Sequence, residues 1–204
     1  MAAKKPVQEP KSVKARITRA SLVVAAADLL TEKGPNAVTY RSVAKRAGAS
    51  ASSTGYYFAS IADLLYEAGE YNMNLWVKRA ESAAEAAEGM PKAECRTHIV
   101  ELLLAACMPS GAGVSASHYM QLVAASESPA VTRAYREGRI RLDAAVERII
   151  KHAGLKDVSA RFVIALVDGA AVSAVSEGDS AHDRVRKLLT EWVFPVMRND
   201  GLMD

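Results

Sequence analysis

The stretch Thr39-Tyr40-Arg41-Ser42-Val43-Ala44-Lys45-Arg46-Ala47-Gly48-Ala49-Ser50-Ala51-Ser52-Ser53-Thr54-Gly55-Tyr56-Tyr57-Phe58 decides how the chain is read. Thr39 can cap a short helix through Arg46, in which Val43, Ala44 and Ala47 offer a small apolar face. Gly48 then permits a tight turn, and Ser50 can cap a second short helix over 50–57. That second helix carries little bulk. It can sit deep in a major groove, with Ser50, Ala51, Ser52, Ser53, Thr54, Gly55 and Tyr56 towards base edges and phosphates. Thr39 and Arg41, at the start of the supporting helix, suit the phosphate backbone, a contact that orients without reading sequence. Tyr56 is expected to point outward, while Tyr57 and Phe58 close the small core. The pattern predicts a helix-turn-helix for double-stranded DNA.

Charge around this stretch agrees. Residues 1–60 hold ten Lys and Arg against three acids, whereas residues 61–204 hold 16 against 20. A net +3 chain is therefore a basic head on a mildly acidic body, and the head suits a polyanion. Lys14 and Arg16 join the expected DNA-binding set, and residues 1–11, with Pro6 and Pro10, read as a flexible basic arm.

Outward from the motif, the periodicity is helical nearly everywhere, with no run of alternating β-branched residues. The spacing predicts helices over 12–33, 39–46, 50–57, 60–88, 92–108, 114–127, 129–153, 159–176 and 181–197. Gly34-Pro35, Gly89, Pro109, Gly154 and Gly178 punctuate them. The first helix offers Ile17, Ala20, Val24, Ala27 and Leu30 as one stripe. The expected architecture is all-α and nine-helical in two domains. Residues 12–59 are the DNA-binding domain, and 60–204 are an effector-binding and dimerisation domain.

The motif, continued through Ala59-Ser60-Ile61-Ala62-Asp63-Leu64-Leu65, resembles the DNA-binding signature of the tetracycline-repressor (TetR) family of bacterial regulators. The resemblance covers residues 12–66. It implies a nine-helix fold, a homodimer on a palindromic operator, and a body that binds a small-molecule effector. Three positions depart from the family pattern. Gly55 stands where a Tyr often helps fix the recognition helix, Ala51 replaces a frequent Lys or Arg, and Ile61 replaces a phosphate-gripping Lys. The phosphate grip should therefore lean more on Arg41, Tyr56 and the arm.

Homodimerisation is also expected from geometry, because one short recognition helix reads too few base pairs to be specific in a genome. Ala165, Gly169 and Ser173 form a small-residue stripe beside Asp168, and Leu188, Leu189, Trp192 and Val196 add bulk on the last helix. These eight are the candidate dimer face. Trp76, His98, Leu102, Tyr119, Met120, Val123, Tyr135, Leu142 and Phe162 are candidates for a pocket suited to a hydrophobic or aromatic effector, though each could equally be core. Arg133, Arg136, Arg139, Arg141 and Arg148 read as a solvated face paired with Glu137 and Glu147.

Other functions find less in the sequence. Cys95 and His98 lie three apart, with Cys107 and His118 beyond them, which leaves a metal- or redox-responsive regulator on the same scaffold as the alternative. Without a second tight pair, no metal or cofactor is expected. Gly-x-Ser-x-Gly, Walker and His-Glu-x-x-His patterns are missing, so an enzyme is not expected. The Gly-rich piece 110–113 reads as a linker. Two cysteines are too few for a disulfide framework. The apolar stretch 22–30 begins late and carries Asp28, unlike a signal peptide, and no run approaches the roughly eighteen apolar residues of a membrane span. A cytoplasmic protein is expected.

Overall fold

The computed structural model describes residues 12–109 and 115–202, so the N-terminal arm and the Gly-rich linker lie outside the described residues. The described chain is all-α, with ten α-helices and no strand among the described residues: α1 (Val13–Lys33), α2 (Tyr40–Ala47), α3 (Ala51–Tyr57), α4 (Ile61–Glu88), α5 (Lys92–Thr97), α6 (Ile99–Cys107), α7 (Ser115–Ala124), α8 (Pro129–Ala153), α9 (Ala160–Glu177) and α10 (Ala181–Asn199). The tenth helix arises because 92–108 breaks at His98, whose backbone leaves the helical region (φ −101°, ψ 11°). There the imidazole Nδ1 lies 3.0 Å from the Glu94 carbonyl.

The chain forms two compact units, one of Met1–Asn74 with Met120–Gly138, the other of Leu75–Tyr119 with Arg139–Asp204. In the first, Leu22, Ala26 and Leu30 of α1 pack with Val43, Tyr57, Phe58, Leu64, Ala68, Ala125 and Val131. The buried residues of α1 are thus Leu22, Ala25, Ala26, Ala27, Leu29 and Leu30, which include the expected Ala27 and Leu30, whereas Ile17 is 62% exposed. The difference has a simple cause: the core lies against the C-terminal half of α1 and its first turns project beyond it. Two close approaches bring α4 and α8 together here. A Cβ on Gly69 would stand 3.0 Å from Ala134 Cβ, and one on Gly138 only 2.1 Å from Met73 Cγ. A buried polar hub sits in the same unit. Gln121 Oε1 accepts from Thr31 Oγ1 at 3.0 Å, Asn72 Nδ2 at 3.2 Å and the Tyr135 hydroxyl at 3.2 Å, joining α1, α4, α7 and α8.

In the second unit α6 is buried on most of its surface, with Ile99, Val100, Leu102, Leu103, Leu104, Ala106 and Cys107 inside and Glu101 and Ala105 exposed. It packs against α9 and α10. α9 turns Val163, Ile164, Val167, Ala170, Ala171 and Ala174 inward, and α10 turns Val185, Leu189, Val193 and Met197. Small alanines let the two helices approach closely. The α8 arginines pair differently from the sequence expectation. Arg148 bonds Glu88 in two places and Arg141 bonds Glu81, both acids on α4, while Glu147 pairs with Lys151. Arg133 does face Glu137, at 4.0 Å, and lies over the Tyr66 ring.

Candidate functional site

The helix-turn-helix is built by its own caps. The Ser42 N–H donates to Thr39 Oγ1 at 3.1 Å and the Thr39 N–H donates to Ser42 Oγ at 2.9 Å, a reciprocal pair that starts α2. Gly48 ends it at φ 64°, a left-handed conformation that costs glycine nothing. Ser50 then accepts the Ser53 N–H at 3.2 Å and starts α3. The Tyr40 hydroxyl donates to the Phe58 carbonyl at 3.1 Å, tying α2 to the end of α3.

Ala51, Ser52, Gly55 and Tyr56 are exposed on α3, Ser53 is half-buried, and the capping Ser50 is exposed. Tyr56 is 58% exposed while Tyr57 and Phe58 enter the core, so the aromatic residues part as their positions suggest. Thr54 corrects the reading from residue type. It is fully buried, with its hydroxyl unpartnered among the described residues, because it shares the inward face of α3 with Tyr57, three positions on. It cannot reach a base from there. Ile61, at the start of α4, packs against the core of this unit.

Six of the head's described cations divide into two groups, and the seventh, Lys33, is exposed in the last turn of α1. Arg46 makes a two-pronged bond to Glu32, both contacts 2.6 Å, and Arg19 bonds Glu67 at 2.5 Å while lying over the Phe58 ring. Lys14, Arg16, Arg41 and Lys45 are exposed and make no ion pair among the described residues. Lys45 was not singled out in the sequence, though its place on α2, four residues after Arg41, puts both on one face.

The body's predicted residues scatter. Met120, Val123 and Tyr135 belong to the first unit, where Met120 is 70% and Val123 74% exposed. Trp76, His98, Leu102, Tyr119, Leu142 and Phe162 belong to the second; Leu102, Tyr119 and Leu142 are buried, while His98 and Phe162 are exposed. Cys95 is buried, and no group of three or more His, Cys, Asp or Glu among the described residues could hold a metal. Of the candidate dimer residues, Ala165 and Gly169 are exposed, and Asp168, Ser173, Leu188, Trp192 and Val196 are half-buried. Leu189 is wholly buried within its own chain. Phe162 and Trp192 lie 5.5 Å apart in an open groove of about 540 Å³, which Lys156, Ser159 and Val196 also line.

The structure does gather a polar cluster inside the second unit. Trp76 of α4 meets His118 of α7 edge-on at 4.8 Å, and His118 meets Tyr119 at 5.0 Å. Arg79, one turn on from Trp76, donates to the carbonyls of Ala106 at 3.4 Å and Cys107 at 3.3 Å, where α6 ends. Burial holds His118 down at about 4, so its ring is neutral at pH 7, and pushes the Cys107 thiol up to about 12. Burial also raises the Asp168 carboxyl to about 6, against the pull of Arg139. The Tyr119 hydroxyl is buried and has no hydrogen-bond partner among the described residues. Arg79, His118 and Asp168 escaped assignment to a pocket. The one available signal was the position of Arg79, three residues after Trp76 and so on the same helix face, in Trp76-Val77-Lys78-Arg79-Ala80.

Comparison with known proteins places this geometry. Residues 22–68 match the model for bacterial regulatory proteins of the tetR family, and residues 91–194 match the tetracyclin repressor-like C-terminal domain. Among curated proteins none matches the sequence. Among solved structures, the multidrug binding protein EbrR, complexed with imidazole, is 22% identical with a TM-score of 0.62, over 94% of this chain and 96% of that one. A putative transcriptional regulator from Saccharomonospora viridis, in complex with choline, is 23% identical with a TM-score of 0.65, over 87% and 96%. A TetR-family member from Streptomyces coelicolor is 23% identical with a TM-score of 0.62, over 85% and 96%. At such identities the likeness is one of fold. The two family matches take in the helix-turn-helix and more than half of the chain, and the chain belongs to the TetR family of DNA-binding transcriptional regulators.

Proposed function

We propose that this chain is a cytoplasmic repressor that binds a palindromic operator as a homodimer and leaves it when a small molecule enters the body. Residues 12–59 read DNA, and 60–204 hold the effector and the partner subunit. The observation that carries this reading is the exposed face of α3, in a unit that also exposes Lys14, Arg16, Arg41 and Lys45 without an ion pair among the described residues. Ser52, Ser53 and Tyr56 address bases and phosphates; Lys14, Arg16, Arg41 and Lys45 address the backbone.

The dimer reading rests on α9 and α10. Phe162 and Val172 are large, apolar and about half exposed, and with Ala165 and Gly169 they line one side of α9. A Cβ on Gly169 would meet nothing within 4 Å, which leaves room for a neighbouring helix. Half-sites one turn apart require recognition helices about 34–36 Å apart, so a small change in their separation releases one of them. In this reading α4, which carries residues of both compact units, is the lever that joins effector to head.

Fluorescence anisotropy with a duplex from the chain's own upstream region tests the function, and sedimentation tests the assembly. We expect one dimer per operator, and Gly169→Arg to give a monomer that no longer binds it. A wild-type monomer bound at full affinity would overturn the dimer reading. Failure to prefer any upstream duplex over random DNA would overturn the operator reading.

A further inference from the structure

The second unit holds two charged groups that its own residues leave unmatched. Arg79 spends two of its five N–H donors on the long bonds to Ala106 and Cys107, and no carboxylate lies within 4.0 Å of it among the described residues. Asp168 makes no ion pair within that distance among the described residues either; the cation that acts on its carboxyl is Arg139, which is held by Asp143 at 2.6 Å. Between them in electrostatic reach lie Cys107 and Tyr119, and the Tyr119 side chain, 96% buried, has an unpartnered hydroxyl.

The two unmatched charges are not equivalent. Asp168, with its carboxyl raised to about 6, can shed its charge by taking a proton. A guanidinium cannot lose one in a protein, so the cost of burying Arg79 is offset only by an anion or by strong acceptors. The C-terminal carbonyls of α6 supply part of that, and the orphaned hydroxyl beside them supplies a further donor with nowhere to donate. Trp76 and His118, edge to face at 4.8 Å, form an aromatic corner in the same cluster, and Trp76 and Arg79 are only half-buried, so the cluster opens to solvent on that side.

We propose that the effector of this regulator is a small organic carboxylate with an apolar or aromatic body, its carboxylate received by the Arg79 guanidinium and the Tyr119 hydroxyl and its body laid against Trp76 and His118. The assignment rests on the reading that the helical body takes an effector. Arg79 forms the charge-assisted, geometrically selective bond, and Tyr119 donates the second.

The test uses three probes of nearly equal shape on the full chain: phenylacetate, phenethylamine and 2-phenylethanol, each titrated calorimetrically. Phenylacetate is expected to bind, and the amine and alcohol at least about tenfold more weakly. Arg79→Met should weaken phenylacetate about thirtyfold or more, as expected for removing one side of a buried charge pair. Tyr119→Phe, which removes only an unpartnered hydroxyl and so leaves folding intact, should weaken it about three- to tenfold. Tightest binding by the amine, equal binding of phenylacetate to wild type and both variants, or no binding of phenylacetate would each overturn the proposal. Operator binding measured on the same preparation separates the two readings. A chain that holds its operator but ignores phenylacetate loses only the carboxylate assignment, and one that binds no operator loses the regulator reading as well.

Discussion

The two compact units handle charge in opposite ways. The first neutralises Arg19 and Arg46 internally and leaves Lys14, Arg16, Arg41 and Lys45 at its surface in water. The second draws Arg79, His118 and Asp168 away from water and, among the described residues, sets no opposite charge within 4.0 Å of Arg79 or Asp168. Surface cations are inexpensive to keep, screened by salt, and useful against a polyanion that displaces its own counterions. Withdrawn charges are costly to keep, little screened, and useful only against a small partner that completes them. Salt should therefore govern the first unit and pH the second.

The largest expected effect breaks the surface half of that contrast. Replacing Lys14, Arg16, Arg41 and Lys45 together by Ala should weaken binding to every DNA sequence, because phosphate contacts carry no base information. The slope of log affinity against log salt should fall in magnitude by about four, near one for each lost phosphate contact. Anisotropy titrations across a salt series measure it. An unchanged slope would mean that these cations do not meet the backbone.

The buried half shows in stability against pH, with the signs of its two groups opposed. Asp168 has a folded value of about 6 against an ordinary 3.8, so its contribution is fully present below 3.8 and is lost as pH rises through about 6. Asp168→Asn should thus gain up to about 3 kcal/mol over wild type above pH 6 and nothing below pH 4, since each tenfold change in proton affinity is worth roughly 1.4 kcal/mol. His118 is depressed to about 4 from 6.5, so its contribution is present above 6.5 and is lost as pH falls towards 4. His118→Asn should blunt the acid-side loss by a similar amount. Chemical denaturation at pH 4.5, 6 and 7.5 separates the two, and parallel curves for both variants would show that neither group is desolvated.

A smaller effect concerns the α4–α8 packing that frames the first unit. Gly138→Ala places a methyl on the Met73 side chain near its root, where it cannot simply swing aside. The helices must part, at about 1–3 kcal/mol. Urea denaturation measures it, and a loss below about 0.5 kcal/mol would mean that the helices yield freely.

Local chemistry made much of this legible in the sequence. Thr39, Gly48 and Ser50 determine the caps and turn of the helix-turn-helix through bonds within a few residues of each other, and the structure forms those bonds. Helix limits followed from Gly and Pro in the same way, except at His98, where no such residue marks the break. What depends on distant partners was not legible. Ile17 looks like a core residue by periodicity, yet the core ends before it reaches the first turns of α1. Asp168 looked like part of a subunit interface, and only folding brings it near Tyr119 and Arg139. Gln121 is an ordinary polar residue until Thr31, Asn72 and Tyr135, up to 90 positions away, all donate to it.

The smallest effect sharpens the contrast within a single helix. Ser52 and Thr54 sit two positions apart on α3 and carry the same functional group, but Ser52 faces solvent and Thr54 is fully buried with its hydroxyl unpartnered. A buried hydroxyl without a partner forfeits its hydration and gains nothing in return. Thr54→Val keeps the branched shape and removes that loss, so it should stabilise the protein by about 1 kcal/mol and leave base preference untouched. Ser52→Ala removes an exposed hydroxyl whose partner at 2.9 Å, Ser50 Oγ, still accepts the Ser53 N–H, so stability should hardly change, while base preference at one operator position relaxes. Denaturation midpoints paired with binding to a set of singly substituted operators distinguish the two. If Thr54→Val altered base preference and Ser52→Ala did not, α3 would have to turn over on meeting DNA, and the division of its faces would describe only the free protein.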